Sequence, residues 1–338
     1  MEIITLFINL MIILLAAELF VNAIEWIGKM FNLSEGAVGS ILAAIGTALP
    51  ETLIPVLALL SGDNSKADEI GIGAILGAPL MLSTLTMFVT GIAVIIFKNR
   101  RKHKDKVMVN YKVISHDLKF FIFSFSIALI CGFIPSEFKS IKICFAILLF
   151  VNYLIYIIKV VKENKSHETD LPNLYFGFGK EKNLNKNVII FIIFLQTIIA
   201  LTLIIFGANH FIDSLSIVAG IFNVPAFVLA IIITPIATEL PEKFNSVLWI
   251  SREKDTLALS NITGAMMFQA SILPGLAILL TDWSNNFGTS LSAIITLFSS
   301  CLLLLELNIK KHLTVRMLIS CGMFYLIFIL FVCLGIIS

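Results

Sequence analysis

The sequence predicts an all-α polytopic membrane protein of ten transmembrane helices, arranged as two inverted five-helix repeats in which the second and seventh helices are broken. Three observations support this fold class. Apolar residues make up 58% of the 338 residues and charged residues only 14%, which is too few to cover the surface of a soluble protein. The chain also contains ten separate apolar runs, and its second half repeats a motif of its first half.

The ten apolar runs define the helices in chain order. A helix needs about 20 apolar residues to cross the hydrocarbon of a bilayer. By this measure the predicted spans are 3–27, 36–60, 70–97, 118–134, 140–161, 188–212, 224–250, 256–281, 289–308 and 313–337. The one long polar connection divides the chain into a first five-helix repeat (1–162), a cytoplasmic linker (163–187) and a second, inverted five-helix repeat (188–338).

The loops predict the orientation in the membrane, because Lys and Arg are enriched in cytoplasmic loops. The loop 98–119 is strongly basic, and counting helices from it places 162–187 and 309–316 on the same, cytoplasmic side. We therefore expect both termini to be external, in a multi-pass protein of a prokaryotic cell membrane. One external loop, which carries Lys139 and Lys142, departs from this pattern. A lipid-binding or regulatory role is the alternative use of the basic loops.

The internal repeat is supported by a motif that recurs without a gap. Residues 47–51 read Thr-Ala-Leu-Pro-Glu, and residues 238–242 read Thr-Glu-Leu-Pro-Glu. The same offset aligns residues 31–33 with residues 222–224. Matches between apolar residues arise by chance, but a Thr-x-Leu-Pro-Glu motif in two transmembrane helices is much harder to dismiss. Repeats of this kind are the usual construction of secondary transporters, whose ion sites lie near the midplane where the copies meet.

The prolines of the motif predict broken helices. Pro50 and Pro241 lack a backbone N–H, so carbonyls of the preceding turn lose their helical partners. We expect the bend to expose the carbonyls of Thr47 and Thr238 as well. Unpaired backbone at this depth is tolerated only where protein or a cavity surrounds it, and a cation is a natural partner for such carbonyls.

The glutamates of the motif predict an ion site. An ionised side chain at the centre of a bilayer costs about 2.5–3.5 kcal/mol on insertion scales, so Glu51 and Glu242 need compensation. We expect no lysine or arginine at that depth, which leaves a bound cation, a proton, or both. Carboxylate and carbonyl oxygens suit Ca²⁺, which takes about 6–8 oxygen ligands. The alternative is a simple proline kink beside a protonated glutamate, but the recurrence in both halves favours the ion site.

Two further polar residues extend the candidate site. Glu239 lies three residues before Glu242, and either faces the same cavity or turns aside and stays neutral. Gln269 is the preferred additional ligand on the eighth helix, with an interhelical hydrogen bond as the alternative. We interpret Glu18 and Asn22 on the first helix as helix-contact or access-path residues. The complete set of candidate cation ligands is Glu51, Glu242, Thr47, Thr238, Glu239 and Gln269.

The two motifs resemble those of a known transporter family. Residues 46–51 and 237–242 are similar to the two G-T-S-L-P-E motifs of the sodium/calcium exchanger family, within the calcium:cation antiporter superfamily. The resemblance implies a fold of ten helices with external termini, inverted repeats and a central cytoplasmic loop. It implies Ca²⁺ binding by the motif glutamates and the carbonyls of the motif threonines. The matching positions are Glu51, Glu242, Thr47 and Thr238.

The sequence departs from the family pattern at several ligand positions. The motif serine is Ala48 in the first repeat and Glu239 in the second, and Leu82 and Gln269 replace acidic or amide ligands. These are mainly groups that the family uses for Na⁺, and a methyl group cannot coordinate an ion. The resemblance therefore predicts exchange of Ca²⁺ for a monovalent cation, with Na⁺ favoured and H⁺ open. A channel-like or transport-inactive homologue is the alternative.

The remaining expectations follow from what the chain lacks. It contains no HExxH, GxSxG or GxGD pattern, so we expect no enzymatic activity. We also expect no resident cofactor, because Ca²⁺ and Na⁺ or H⁺ would be transported ions. No segment indicates binding of nucleic acid. The expected partners are inorganic cations and the lipid bilayer.

Overall fold

A computed structural model describes residues 2–31, 33–48, 75–163, 172–177, 185–221 and 239–334, and this part of the chain is nearly all helical. The helices are α1 (Glu2–Met30), α2 (35–48), α3 (75–97), α4 (Tyr111–Cys131), α5 (Lys139–Glu163), α6 (Lys186–Ile221), α7 (Leu240–Ser251), α8 (Asp255–Leu280), α9 (Phe287–Lys310) and α10 (Val315–Cys333). The strands are β1 (Lys106–Val107) and β2 (Leu313–Thr314). Short 3₁₀ turns occupy Lys98–Arg100, Ser136–Phe138 and Tyr175–Gly177.

Eight of the described helices are long and apolar enough to cross a membrane, namely α1, α3, α4, α5, α6, α8, α9 and α10. The chain is therefore a multi-pass membrane protein. Parts of the predicted second and seventh helices fall in residues 49–74 and 222–238, which lie outside the described residues. The count of ten helices and the inverted repeat stay predictions.

Helix α8 lies at the centre of the bundle, and almost all of its side chains are buried. It packs against α2, α4, α5 and α7, whereas α1 packs mainly along α6. The outer faces of α5, α6 and α10 expose large apolar side chains, such as Phe191 and Phe194 on α6. Exposed apolar surface on this scale suits contact with lipid rather than water.

Two helices contain a π-helical segment, at Val38–Ala43 in α2 and at Leu82–Thr86 in α3. A π turn adds a residue to the helical turn, and such turns are frequent at functional sites. The apolar runs give no signal for them, because hydropathy does not distinguish a π turn from an α turn.

Contacts between loops place four connections on one face of the bundle. Strand β1, between α3 and α4, pairs antiparallel with β2, between α9 and α10. Arg101 of the same connection donates to the Asp255 carboxylate at 2.6 Å, next to the α7–α8 turn. Arg252 of that turn contacts Glu18, which also accepts a hydrogen bond from the Tyr175 hydroxyl. This grouping agrees with the predicted common side of the basic loops, while the choice of the cytoplasm for that side stays a prediction.

The predicted start of the fourth helix at 118 is wrong. Helix α4 begins at Tyr111, and the side chain of Asn110 caps it by accepting from the Lys112 backbone N–H at 3.2 Å. Lys112 and Lys119 therefore lie on the exposed face of a helix rather than in the loop. The prediction counted apolar residues only, and so it missed a helix whose first two turns are partly polar.

Lys142 is one of the two lysines near the loop that is predicted to be external, and its contacts explain its departure from the charge pattern. Its side chain is buried, and its ammonium donates to the carbonyls of Asp282 at 2.5 Å and Trp283 at 3.0 Å. These carbonyls follow the end of α8, where backbone acceptors lack helical partners. The charge of Lys142 thus serves packing, and it gives no information on orientation.

Candidate cation site

Glu242 lies in the first turn of α7, which begins at Leu240 directly after Glu239. Pro241 occupies the same turn, where a missing N–H costs no helical hydrogen bond. Glu242 lies nine residues before Ser251, where α7 ends. At 1.5 Å per residue this distance is about 14 Å, or about half the thickness of the hydrocarbon core of a bilayer. The start of α7 thus carries a carboxylate to the middle of the bundle.

Thr47 of α2 meets Glu242 of α7 in the buried interior. Both side chains are fully buried, and the Thr47 hydroxyl lies beside the Glu242 carboxylate. That hydroxyl donates instead to the Ala43 carbonyl at 3.0 Å. Among the described residues, neither carboxylate oxygen of Glu242 has a hydrogen-bond partner of ordinary geometry. A buried carboxylate without partners is costly, so this position fits a cationic ligand.

Glu239 is held by a lysine that the sequence interpretation overlooked. Its Oε2 atom lies 3.0 Å from the Lys243 ammonium, and the two side chains are 1% and 6% exposed. The expectation of no lysine or arginine at this depth is therefore wrong. The signal was present in the sequence, because Glu239 and Lys243 stand four residues apart, the spacing of an ion pair on one helix face. Glu239 is therefore ion-paired, and whether it also faces the cation site stays a prediction.

Three buried amides lie on α7 and on α8, which pack against each other. Gln269 of α8 is fully buried, as are Asn245 of α7 and Asn261 of α8. In the part of the chain that the structure describes, the side-chain atoms of Asn245 and Asn261 have no hydrogen-bond partner. Asn245 was missed from the sequence, although it follows Glu242 by three residues and so lies on a neighbouring face of the helix. These amides add candidate oxygen ligands to the carboxylates.

Two of the six predicted ligands cannot be placed. Glu51 and Thr238 lie outside the described residues. Within the described residues, no three or more His, Cys, Asp or Glu side chains come together as a metal cluster. The described part of the candidate site therefore consists of Thr47, Glu239, Glu242 and Gln269, with Lys243 as an unexpected member.

Another buried carboxylate, Asp117 of α4, connects four helices. Its Oδ2 atom accepts from the hydroxyls of Ser40 (2.7 Å) and Thr263 (2.6 Å), and its Oδ1 atom accepts from Tyr156 (3.0 Å). These donors belong to α2, α8 and α5. The sequence interpretation missed Asp117 because it placed this residue in a loop. Since hydroxyl groups satisfy both oxygens, we interpret Asp117 as an anchor between helices.

Glu18 and Asn22 make helix and loop contacts, in agreement with their interpretation from the sequence. Asn22 donates to the Asn173 carbonyl at 3.1 Å and accepts from the Gln196 amide at 2.9 Å. The hydrogen bond to the Glu18 carboxylate raises the pKa of Tyr175, because the phenol is a better donor in its neutral form. These contacts attach the 172–177 segment to α1 and α6.

Comparison with known proteins matches the chain to one family model and to two membrane proteins. The family model described as "Sodium/calcium exchanger protein" matches residues 1–162 and 192–334. The inner membrane protein YrbG of Escherichia coli is 21% identical over 82% of this chain and 79% of its own length. The membrane protein MJ0091 of Methanocaldococcus jannaschii is 26% identical over 76% of this chain and 75% of its own length.

Solved structures of the sodium-calcium exchanger NCX_Mj share the fold. The form soaked with 10 mM Na⁺ and zero Ca²⁺ superposes with a TM-score of 0.75 at 20% identity, covering 97% of both chains. The form soaked with 2.5 mM Na⁺ and 1 mM Sr²⁺ gives the same score at 22% identity, again over 97% of both chains.

Proposed function

Because the chain belongs to the sodium/calcium exchanger family, we propose that this cation antiporter exchanges Ca²⁺ for a monovalent cation by alternating access at a site near the midplane. The observation that carries the proposal is the meeting of Thr47 and Glu242 in the buried interior, where the Glu242 oxygens lack hydrogen-bond partners of ordinary geometry among the described residues. The protein has no enzymatic role in this proposal, and the ions are its substrates.

The proposed ligands come from both repeats. Glu51 and Glu242 bind Ca²⁺ through their carboxylates, and Thr47 and Thr238 bind it through their carbonyls. Gln269 contributes an amide oxygen, and Glu239 adds negative charge nearby. Ca²⁺ prefers such hard oxygen ligands, and the combination of side chains with freed carbonyls supplies them without a preformed metal cluster.

Charge neutralisation couples the two fluxes. A site with unpaired carboxylates is costly to move through the low-dielectric centre of the membrane, so it must hold Ca²⁺ or monovalent cations during the crossing. Helices α1 and α6 pack mainly on each other at the outside of the bundle, and they move as a pair against the remaining helices. Their movement opens one side of the site at a time.

The orientation and the coupling ion complete the proposal. The basic loops face the cytoplasm and both termini face outward, in a prokaryotic cell membrane. Na⁺ is the favoured coupling ion. Coupling to H⁺ is supported by Ala48 and Leu82, which offer no side-chain oxygen where the family has a ligand.

Ion flux into proteoliposomes tests the proposal. Purified protein should take up radioactive Ca²⁺ when a Na⁺ gradient drives the uptake at clamped pH, or when a pH gradient drives it without Na⁺. Glu242→Gln should weaken Ca²⁺ binding about 10- to 100-fold, because a charged ligand is worth about 1.5–3 kcal/mol. The matched control is Glu137→Gln, an exposed residue of the Ser136–Phe138 turn. Normal transport by Glu242→Gln, or an uptake that neither gradient drives, would refute the proposed function.

A further inference from the structure

A basic cavity lies between the start of α4 and the end of α9, on the face that carries the basic loops. Its volume is about 320 Å³, and its lining includes Lys112 and Lys119 from α4 and Lys311, the residue that caps α9. Within this lining, the hydroxyl of Ser115 donates to the side-chain oxygen of Asn308 at 3.3 Å and joins the two helices. None of the described candidate cation ligands lines the cavity, so it is a separate site.

The three lysines of this cavity have no acidic partners among the described residues. In that part of the chain no carboxylate forms an ion pair with them, and none lines the cavity. The acidic residues of α4 and α9 are engaged elsewhere, because Asp117 is buried among hydroxyls and Glu306 binds Lys310 at 2.7 Å. An anion in the cavity would therefore be stabilised by all three ammonium groups.

The start of α4 adds to this positive potential. Lys112 is the second residue of the helix, and the first turn carries no acidic side chain. A helix N-terminus favours anions and disfavours a lysine, because the positive end of the helix dipole lies there. Lys112 therefore stands where the helix itself disfavours its charge. An anion placed between Lys112 and Lys311 would offset this repulsion.

Lys311 is directed towards α4 by its backbone and by an aromatic ring. It caps α9 in the left-handed region, at a φ of 61°, where glycine is the usual residue. Its ammonium lies 4.5 Å from the centroid of the Tyr111 ring, which holds it against the first residue of α4. A charged side chain thus occupies a position at which the backbone favours none.

Both helices continue from the lysines into exposed apolar surface. Phe123 follows Lys119 by four residues on the same face of α4, and Leu305 precedes Asn308 by three residues on α9. Both apolar side chains are more than half exposed. A soluble anion makes no use of such a surface, whereas the acyl chains of a phospholipid pack on it. Positive charge at the helix ends followed by apolar surface matches the two parts of a phospholipid.

We propose that this cavity binds the phosphate of an anionic phospholipid, whose acyl chains lie along Phe123 and Leu305. The ammonium groups of Lys112, Lys119 and Lys311 pair with the negative charge of the headgroup. Basic pockets between transmembrane helices bind anionic headgroups in this way. The bound lipid joins α4 to α9, and its binding does not depend on the proposed ion exchange.

Lipid binding to the purified protein tests the proposal. The full chain in a neutral detergent is titrated with dioleoylphosphatidylglycerol, and bound lipid is counted by native mass spectrometry. Dioleoylphosphatidylcholine is the comparison lipid, because it has the same acyl chains and a phosphate but no net charge. The first phosphatidylglycerol should bind about tenfold or more tightly than phosphatidylcholine, and inorganic phosphate at millimolar concentration should not displace it.

Variants of the three lysines locate the site. Changing Lys112, Lys119 and Lys311 together to Gln should weaken binding of the first phosphatidylglycerol on the order of a hundredfold, because each lysine contributes about fivefold. Lys311→Gly alone should weaken it about fivefold while the Tm stays equal or rises, because glycine suits the left-handed backbone. A purely structural lysine would give the reverse, a lower Tm with unchanged lipid binding.

The matched control removes the same number of charges from the same face. Lys102, Lys104 and Lys106 are exposed in the connection between α3 and α4, and their joint change to Gln should alter binding by less than about threefold. Equal losses in both triple variants would show a diffuse surface charge and overturn the proposal. Equal binding of the two lipids, or displacement by inorganic phosphate, would overturn it as well. If the triple lysine variant does not fold, Lys311→Gly and Lys112→Gln decide the matter.

Discussion

Helices α2 and α8 come close together at Gly264, where the absence of a single methyl group allows the contact. A Cβ atom built on Gly264 would lie 2.3 Å from the carbonyl oxygen of Ser40 and 2.5 Å from its Cα atom. Both atoms belong to the backbone, so no side-chain rotation relieves the clash. Gly264→Ala should therefore force α8 away from the Val38–Ala43 segment.

The expected cost is at the upper end of overpacking, about 3 kcal/mol. This corresponds to a decrease in Tm on the order of 5 °C in detergent, measured by the loss of monodisperse protein on heating. Gly275→Ala on the same helix is the control. Its Cβ would lie 2.8 Å from the Cζ atom of Phe150, the far end of a side chain that can rotate. Equal Tm values for Gly264→Ala and Gly275→Ala would refute the close backbone contact.

Two further predictions concern the face that carries the basic loops. Arg101→Ala should destabilise the protein by about 3–5 kcal/mol in thermal unfolding, because it strands the Asp255 carboxylate, whose side chain is 5% exposed. Lys98→Ala breaks the exposed pair with Asp105 and should cost at most about 1 kcal/mol, so a similar loss in both variants would contradict the argument. Cysteines introduced as His103→Cys and Glu137→Cys should react with a membrane-impermeant thiol reagent from opposite sides, with His103→Cys labelled from the cytoplasm. Labelling of both from one side would show that α4 does not span the membrane, and external labelling of His103→Cys would show that the orientation is reversed.

Features that depend on local sequence were largely predictable. The membrane class and most helix positions follow from apolar runs, because a bilayer selects for length and hydropathy along one segment. The pairing of Glu239 with Lys243 was also within reach, since both residues lie on one helix four positions apart.

In the candidate site, the sequence predicts suitable residues but not which of them come together. The recurring motif identified Glu242 and Thr47 as chemically suitable residues. Their meeting depends on the depth and rotation of α2 relative to α7, which hydropathy does not specify. The burial of Asn245 and Asn261 could not be predicted from the sequence either, because neighbouring helices cause it.

The sequence by itself thus determined that this protein lies in a membrane and where eight of its apolar helices lie, and it identified motif residues that are chemically suitable for cations. These properties depend on the composition of continuous segments. Only the tertiary structure decided that Asp117 joins α2, α5 and α8, and that Arg101 pairs with Asp255. The physical reason is that buried polar groups take whichever partner the packing of separate helices brings within reach.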